Sequence, residues 1–195
     1  GIWLWATCKD SISFKTTFKI FEESAREGIA DALQMMSRMY YLGEAYDEKA
    51  EKFVMDRKLS QELEVQAIEK GSIRAKLRHN KDLFYGTSDV EPDRAAAIAE
   101  AEREASVFSE SILWTEQLGH FYEFEEEREK AITAYEKCII NGYYAPIYDL
   151  ALIYLQDGDD KYYETLMEVG MKLGVPDCHT LGAEYEPLWE SLDED

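Results

Sequence analysis

The chain has 195 residues and a formal charge of −20, from 21 Lys and Arg against 41 Asp and Glu. That balance argues against nucleic acid and anionic membrane surfaces as partners, because phosphate recognition needs an excess of cationic side chains. With 46% hydrophobic and 13% aromatic residues it is too apolar for a solvated disordered chain, yet its apolar runs are too short for a membrane span.

The first residue is Gly1 rather than Met, so the native start is expected to lie upstream. The stub Ile2-Trp3-Leu4-Trp5-Ala6 reads in two ways: a first helix whose indoles cover the end of the core, or the tail of a trimmed signal sequence. Trp5 stands where a lipoprotein box needs a small aliphatic residue, which argues against lipidation of Cys8. The absent start tilts the expected compartment towards exported or periplasmic, with a cytoplasmic chain left open.

From Phe14 onward the helical period recurs. Phe14, Phe18, Phe21 and Ala25 fall at i, i+4, i+7 and i+11, and after Gly28 come Ala32, Met36, Met39 and Tyr40. The charged stretch 44–58 is expected to be a link between repeats, and no segment carries the alternation of a strand. Gly71 and Ala75 stand 43 residues beyond Gly28 and Ala32, and Gly86-Thr87-Ser88-Asp89 with Pro92 marks a loop before the next helix. Trp114, Leu118, Phe121 and Tyr122 repeat the pattern, as do Ala131, Tyr135, Cys138 and Ile139, and then Ile147, Ala151, Tyr154 and Leu155.

Gly28, Gly71, Glu110, Gly142 and Gly174 serve as anchors of five units. Four residues before each lie Ser24, Ala67, Ser106, Cys138 and Gly170; nine residues after lie Ser37, Asn80, Gly119, Ala151 and Ala183. Nearly all are small, as close helix approach demands. Each anchor glycine suits a turn after a first helix, where a left-handed backbone costs glycine least. The architecture expected is all-α: a right-handed α-solenoid of about five helix-turn-helix repeats over residues 1–183, closed by an acidic cap or tail over 184–195 held by Trp189. Ala32, Ala75, Cys138, Ala151 and Cys178 are expected to be buried between helices.

The segment Gly28 to Gly43 resembles the Sel-one-like repeat, a relative of the tetratricopeptide repeat: a small residue, a Gly, an Ala, a Leu-Gly pair, a Tyr and a closing Gly. Leu118-Gly119 with Tyr122, and Leu150-Ala151 with Tyr154 and Gly158, fit the later places. The resemblance covers roughly residues 14–183. It implies a bacterial solenoid that binds proteins or peptides and has no chemistry of its own, within a family that includes secretion-system components, envelope scaffolds and immunity proteins.

The residues themselves agree with a non-enzyme. His79, His120 and His179 form no zinc spacing, Cys178 and His179 are adjacent and diverge on a helix, and the three cysteines match no disulfide framework. No phosphate loop, dinucleotide motif or nucleophile elbow is present. The run Glu123, Glu125, Glu126, Glu127 and Glu129 lacks the calcium-loop pattern and reads as a solvated link. No catalytic residue, metal or cofactor is therefore expected.

The charge points to a partner that is a basic protein, or carries a basic patch, steered electrostatically. In tetratricopeptide-type solenoids the first helices line the concave face. The resemblance thus implies a partner surface of Glu22, Glu23, Glu62, Glu64, Glu102 and Glu136, flanked by Glu123, Glu126 and Glu127, with Tyr143 and Tyr144 as apolar anchors. Within that class an immunity protein against a secreted effector or a secretion-linked adaptor is the sharpest reading. An envelope scaffold, or an enzyme with a Cys or carboxylate centre, is the alternative.

Overall fold

A computed structural model describes residues 11–107 and 112–179. The stub around Trp3, Trp5 and Cys8, the anchor Glu110, Ala183 and the expected cap over 184–195 lie outside the described residues. The helices are α1 (Ser11–Arg26), α2 (Ala30–Leu42), α3 (Arg57–Glu69), α4 (Ile73–Tyr85), α5 (Arg94–Val107), α6 (Ile112–Phe124), α7 (Arg128–Ile140), α8 (Ile147–Gln156) and α9 (Asp160–Lys172). A further helical turn covers 176–179. In chain order they fall into helix-turn-helix units α1/α2, α3/α4, α5/α6 and α7/α8, with α9 opening a fifth.

The turns follow from the sequence. The four anchor glycines, Gly28, Gly71, Gly142 and Gly174, all have positive φ, between 76° and 91°. Gly43 and Gly158, which close the first and fourth pairs, do likewise. In the third pair that closing place falls to Glu126, at φ 60°. The acidic run 123–129 thus spans the tight turn 125–127 from α6 to α7, with a left-handed residue that is not glycine. Acidic and hydroxyl side chains cap the starts: Asp56 accepts from the Leu59 amide, Ser72 from Ala75, Asp93 from Ala96 and Asp159 from Tyr162.

The chain divides into two compact units, 1–79 and 80–195, with the boundary inside α4. In the first, Phe18, Phe21, Ala32, Leu33, Met35, Met36, Met39, Leu63, Ala67 and Ala75 form one core. Burying each large side chain contributes roughly 1.5–3 kcal/mol. The link 44–58 departs from the expectation of a strand-free chain: Ala45–Asp47 and Lys52–Val54 form an antiparallel hairpin. The Asp47 carboxylate closes its turn by accepting from the amides of Lys49 (2.8 Å) and Ala50 (3.1 Å). Tyr46 and Phe53 face each other across the ladder at 5.3 Å. Three residues per strand leave no alternation long enough to read from sequence.

In the second unit the closest approaches join one pair to the next. An added Cβ at Gly119 of α6 would lie 2.6 Å from Cδ1 and 2.9 Å from Cζ of Tyr135 on α7. At Gly170 of α9 it would run into Sγ of Cys178 and stand 3.1 Å from Ile147 of α8. The small places of the repeat are therefore notches for a neighbour's side chain. Ala32, Ala75, Cys138, Ala151 and Cys178 are all buried, Ala32 at 4% and the other four at zero exposure. Where the notch residue is Asn80, buried polar contacts replace close packing. Asn80 donates to the Ala97 carbonyl and to Glu100, and accepts from Gln117 at 2.6 Å.

Candidate functional site

The first-helix carboxylates divide between the two units, and several have partners of their own. Glu22 of α1 pairs with Arg26 at 3.0 Å and Glu62 of α3 with Lys58 at 3.9 Å, both exposed. Glu64 is largely buried against Arg78, 3.6 Å away, and so is not a free surface acid. Glu102 of α5 accepts from the Tyr122 hydroxyl at 2.5 Å, and Glu127 pairs with Lys130. Glu23, Glu126 and Glu136 are exposed. Such exposed or locally paired groups contribute little to stability.

Instead, acidic groups converge from second helices of the second unit. On α6, Glu116, His120 and Glu123 fall at i, i+4 and i+7 and share one face. Tyr135 of α7, wholly buried with its ring in the Gly119 notch, donates its hydroxyl to Glu123 Oε2 at 2.8 Å and lies 3.0 Å from His120 Nδ1. Tyr143, in the α7–α8 turn, donates to both carboxylate oxygens of Glu116 at 3.0 and 3.1 Å. Asp149 of α8 completes the strip. Burial pushes its carboxyl above the usual aspartate range; His120 pulls it back, and Glu123, Glu116 and Asp177 push it up again. Burial and the neighbouring carboxylates likewise raise the Tyr135 and Tyr122 phenols, and take Tyr143 up to about 12.

Of the expected residues, the structure brings Glu123 and Tyr143 into this strip and leaves Tyr144 exposed nearby in sequence. Glu116, His120, Tyr135 and Asp149 were not anticipated. The helical spacing of Glu116, His120 and Glu123 was readable; the approach of Asp149 and Tyr135 required the tertiary fold. Tyr148 and Tyr163 pack on the cluster of Ile147, Ala151, Met167, Val175 and Cys178, closing the fourth pair on the fifth. The Cys138 and Cys178 thiols are core groups: burial raises both, and takes Cys138 to about 11.

Two solved structures share this arrangement of helix pairs. One is c5321, described as a protective antigen present in uropathogenic Escherichia coli strains displaying an SLR fold. It is 22% identical with a TM-score of 0.56, over 85% of this chain and 34% of its own. The other is a Sel1 repeat protein from Oxalobacter formigenes, 18% identical with a TM-score of 0.57, over 83% of this chain and 65% of its own. The chain has a Sel1-like repeat fold. It spans about a third of the first protein and just under two thirds of the second. No family model and no curated protein matches the sequence. Among the described residues no helix is long and apolar enough to cross a membrane, and no group of three or more His, Cys, Asp or Glu side chains is arranged to hold a metal.

Proposed function

We propose that the chain is a non-catalytic protein-binding repeat module that takes a cationic partner surface on the strip of Glu116, His120, Glu123 and Asp149. Helix-pair repeats of this kind generally serve as protein-interaction scaffolds, since stacked units present extended side-chain surfaces. The observation that carries the charge of the partner is Asp149. It is half-buried, and burial together with Glu123, Glu116 and Asp177 raises its carboxyl against the opposing pull of His120. An incoming Lys or Arg would relieve that repulsion and be held by it.

Charges of this kind set encounter rate and partner choice, so binding weakens as salt screens them. Calorimetric titration with a capped lysine-rich peptide and its glutamate counterpart, at low and high ionic strength, tests the reading. The lysine peptide should bind and lose affinity with salt, and Asp149→Asn should weaken it. Equal or stronger binding of the glutamate peptide would refute it. Reversing Glu126 and Glu127 to Lys should slow association. Within this class we propose an immunity protein or a secretion-linked adaptor, on the resemblance alone; a toxin-like gene beside this one would support the former.

A further inference from the structure

Next to the acidic strip stands an aromatic platform. Phe84 of α4 and Phe121 of α6 are buried and stacked, with centroids 3.9 Å apart and planes at 3°. On them rest Tyr85 and Phe124, edge to face at 5.4 Å, which remain 42% and 49% exposed. Two large aromatics that open on a helical surface, supported from below by a packed stack, retain little conformational freedom for binding to remove. They are preorganised apolar anchors.

The chemistry of that group is indicated by the platform's own occupant. The Arg94 guanidinium lies over the Phe124 ring, 4.6 Å from its centroid, and donates to Glu125 at 3.2 Å. A guanidinium on an aromatic face with a carboxylate at its edge is thus an arrangement this surface already adopts. Tyr85 offers a second aromatic of the same kind, with Glu123 close enough to help raise its phenol. Glu123 uses Oε2 to accept from Tyr135, and no hydrogen bond to Oε1 is seen among the described residues.

We propose that Tyr85 and Phe124, with Glu123, form a docking surface for an arginine-bearing segment of the partner, one guanidinium stacking on Tyr85 and pairing with Glu123. This rests on the reading that the partner is cationic and adds that the surface distinguishes arginine from lysine. A compact, strongly hydrated ammonium acts as a point charge and gains less from the ring, whereas a planar, weakly hydrated guanidinium stacks flat on it while pairing with the carboxylate.

The test compares two capped hexapeptides, alternating glycine with arginine or glycine with lysine, titrated into the full chain at 150 mM salt. The arginine peptide should bind about three- to fivefold tighter. Tyr85→Leu, which keeps an apolar residue on the stack, should bring the two within about twofold and weaken the lysine peptide less than the arginine one. Tyr85→Met provides the same measurement should Tyr85→Leu lose its native circular dichroism. Glu123→Gln should weaken both peptides. Equal affinities in the wild-type chain, or an arginine preference that survives removal of the Tyr85 ring, would overturn the inference and leave the cationic-partner reading intact. Binding of neither peptide would overturn both.

Discussion

Replacing Gly119 by Ala tests whether the small places of the repeat are notches or merely tolerant surface. On helix propensity alone the change should stabilise α6 by about 1 kcal/mol. The added methyl, however, would stand 2.6 Å from Cδ1 and 2.9 Å from Cζ of Tyr135, and closer still to Cε1. That ring has no exposed surface, and its hydroxyl is held by Glu123 and His120. It cannot swing away without losing those partners. Overpacking costs about 1–3 kcal/mol, and a buried hydroxyl shifted off its acceptor about 1–3 kcal/mol more. Set against the propensity gain, the net loss should be about 3 kcal/mol, or roughly 6–12 °C in Tm for a chain of this length. Urea unfolding of Gly119→Ala, Tyr135→Leu and the double variant measures it. The smaller ring-free side chain should rescue the alanine, with a coupling of at least about 1 kcal/mol. A neutral or stabilising Gly119→Ala, or strict additivity, would refute the reasoning and return Gly119 to an ordinary helix position.

Ala151→Leu, at a wholly buried place of the fourth pair, should cost about 1–3 kcal/mol in a thermal melt. Asp149→Asn should stabilise the chain at pH 7 while weakening cationic ligands. The folded Asp149 carboxyl binds its proton more tightly than the unfolded one, so its penalty is present at neutral pH and is relieved as pH falls through the folded value. A stability gain that persisted equally at pH 3 would contradict this. The Tyr122, Tyr135 and Tyr143 phenols are raised, so the native state keeps protons that the unfolded chain releases near pH 10. Their contribution to stability should be complete below about pH 10 and fall as pH rises further, visible as a lowered urea midpoint. Tyr135→Phe should make that fall shallower.

The helices, their pairing and their turns were determined by the sequence itself, because each depends on local chemistry. The 3.6-residue period of Phe14 to Ala25 and of Trp114 to Tyr122 marks the buried faces, and the glycines at fixed spacing take left-handed turns that few other residues adopt cheaply. The burial of Ala32, Ala75, Cys138, Ala151 and Cys178 followed from the same periodicity. The hairpin 45–54 was not legible, since two three-residue strands carry too little pattern and depend on a side-chain-closed turn. Glu126 was read as a solvated acid, and only the backbone shows it holding the place of a closing glycine. The candidate site lay further out of reach. First-helix acids such as Glu22, Glu62 and Glu64 have the right composition but find partners within their own or the adjoining helix. Asp149, by contrast, feels the charges of Glu123 and His120 across more than twenty residues of chain, because α6 and α8 both pack against α7. Whether a carboxylate is spent on a neighbour or set among other acids depends on distances between helices, and those are set by notches such as Gly119 rather than by the charge pattern along the chain.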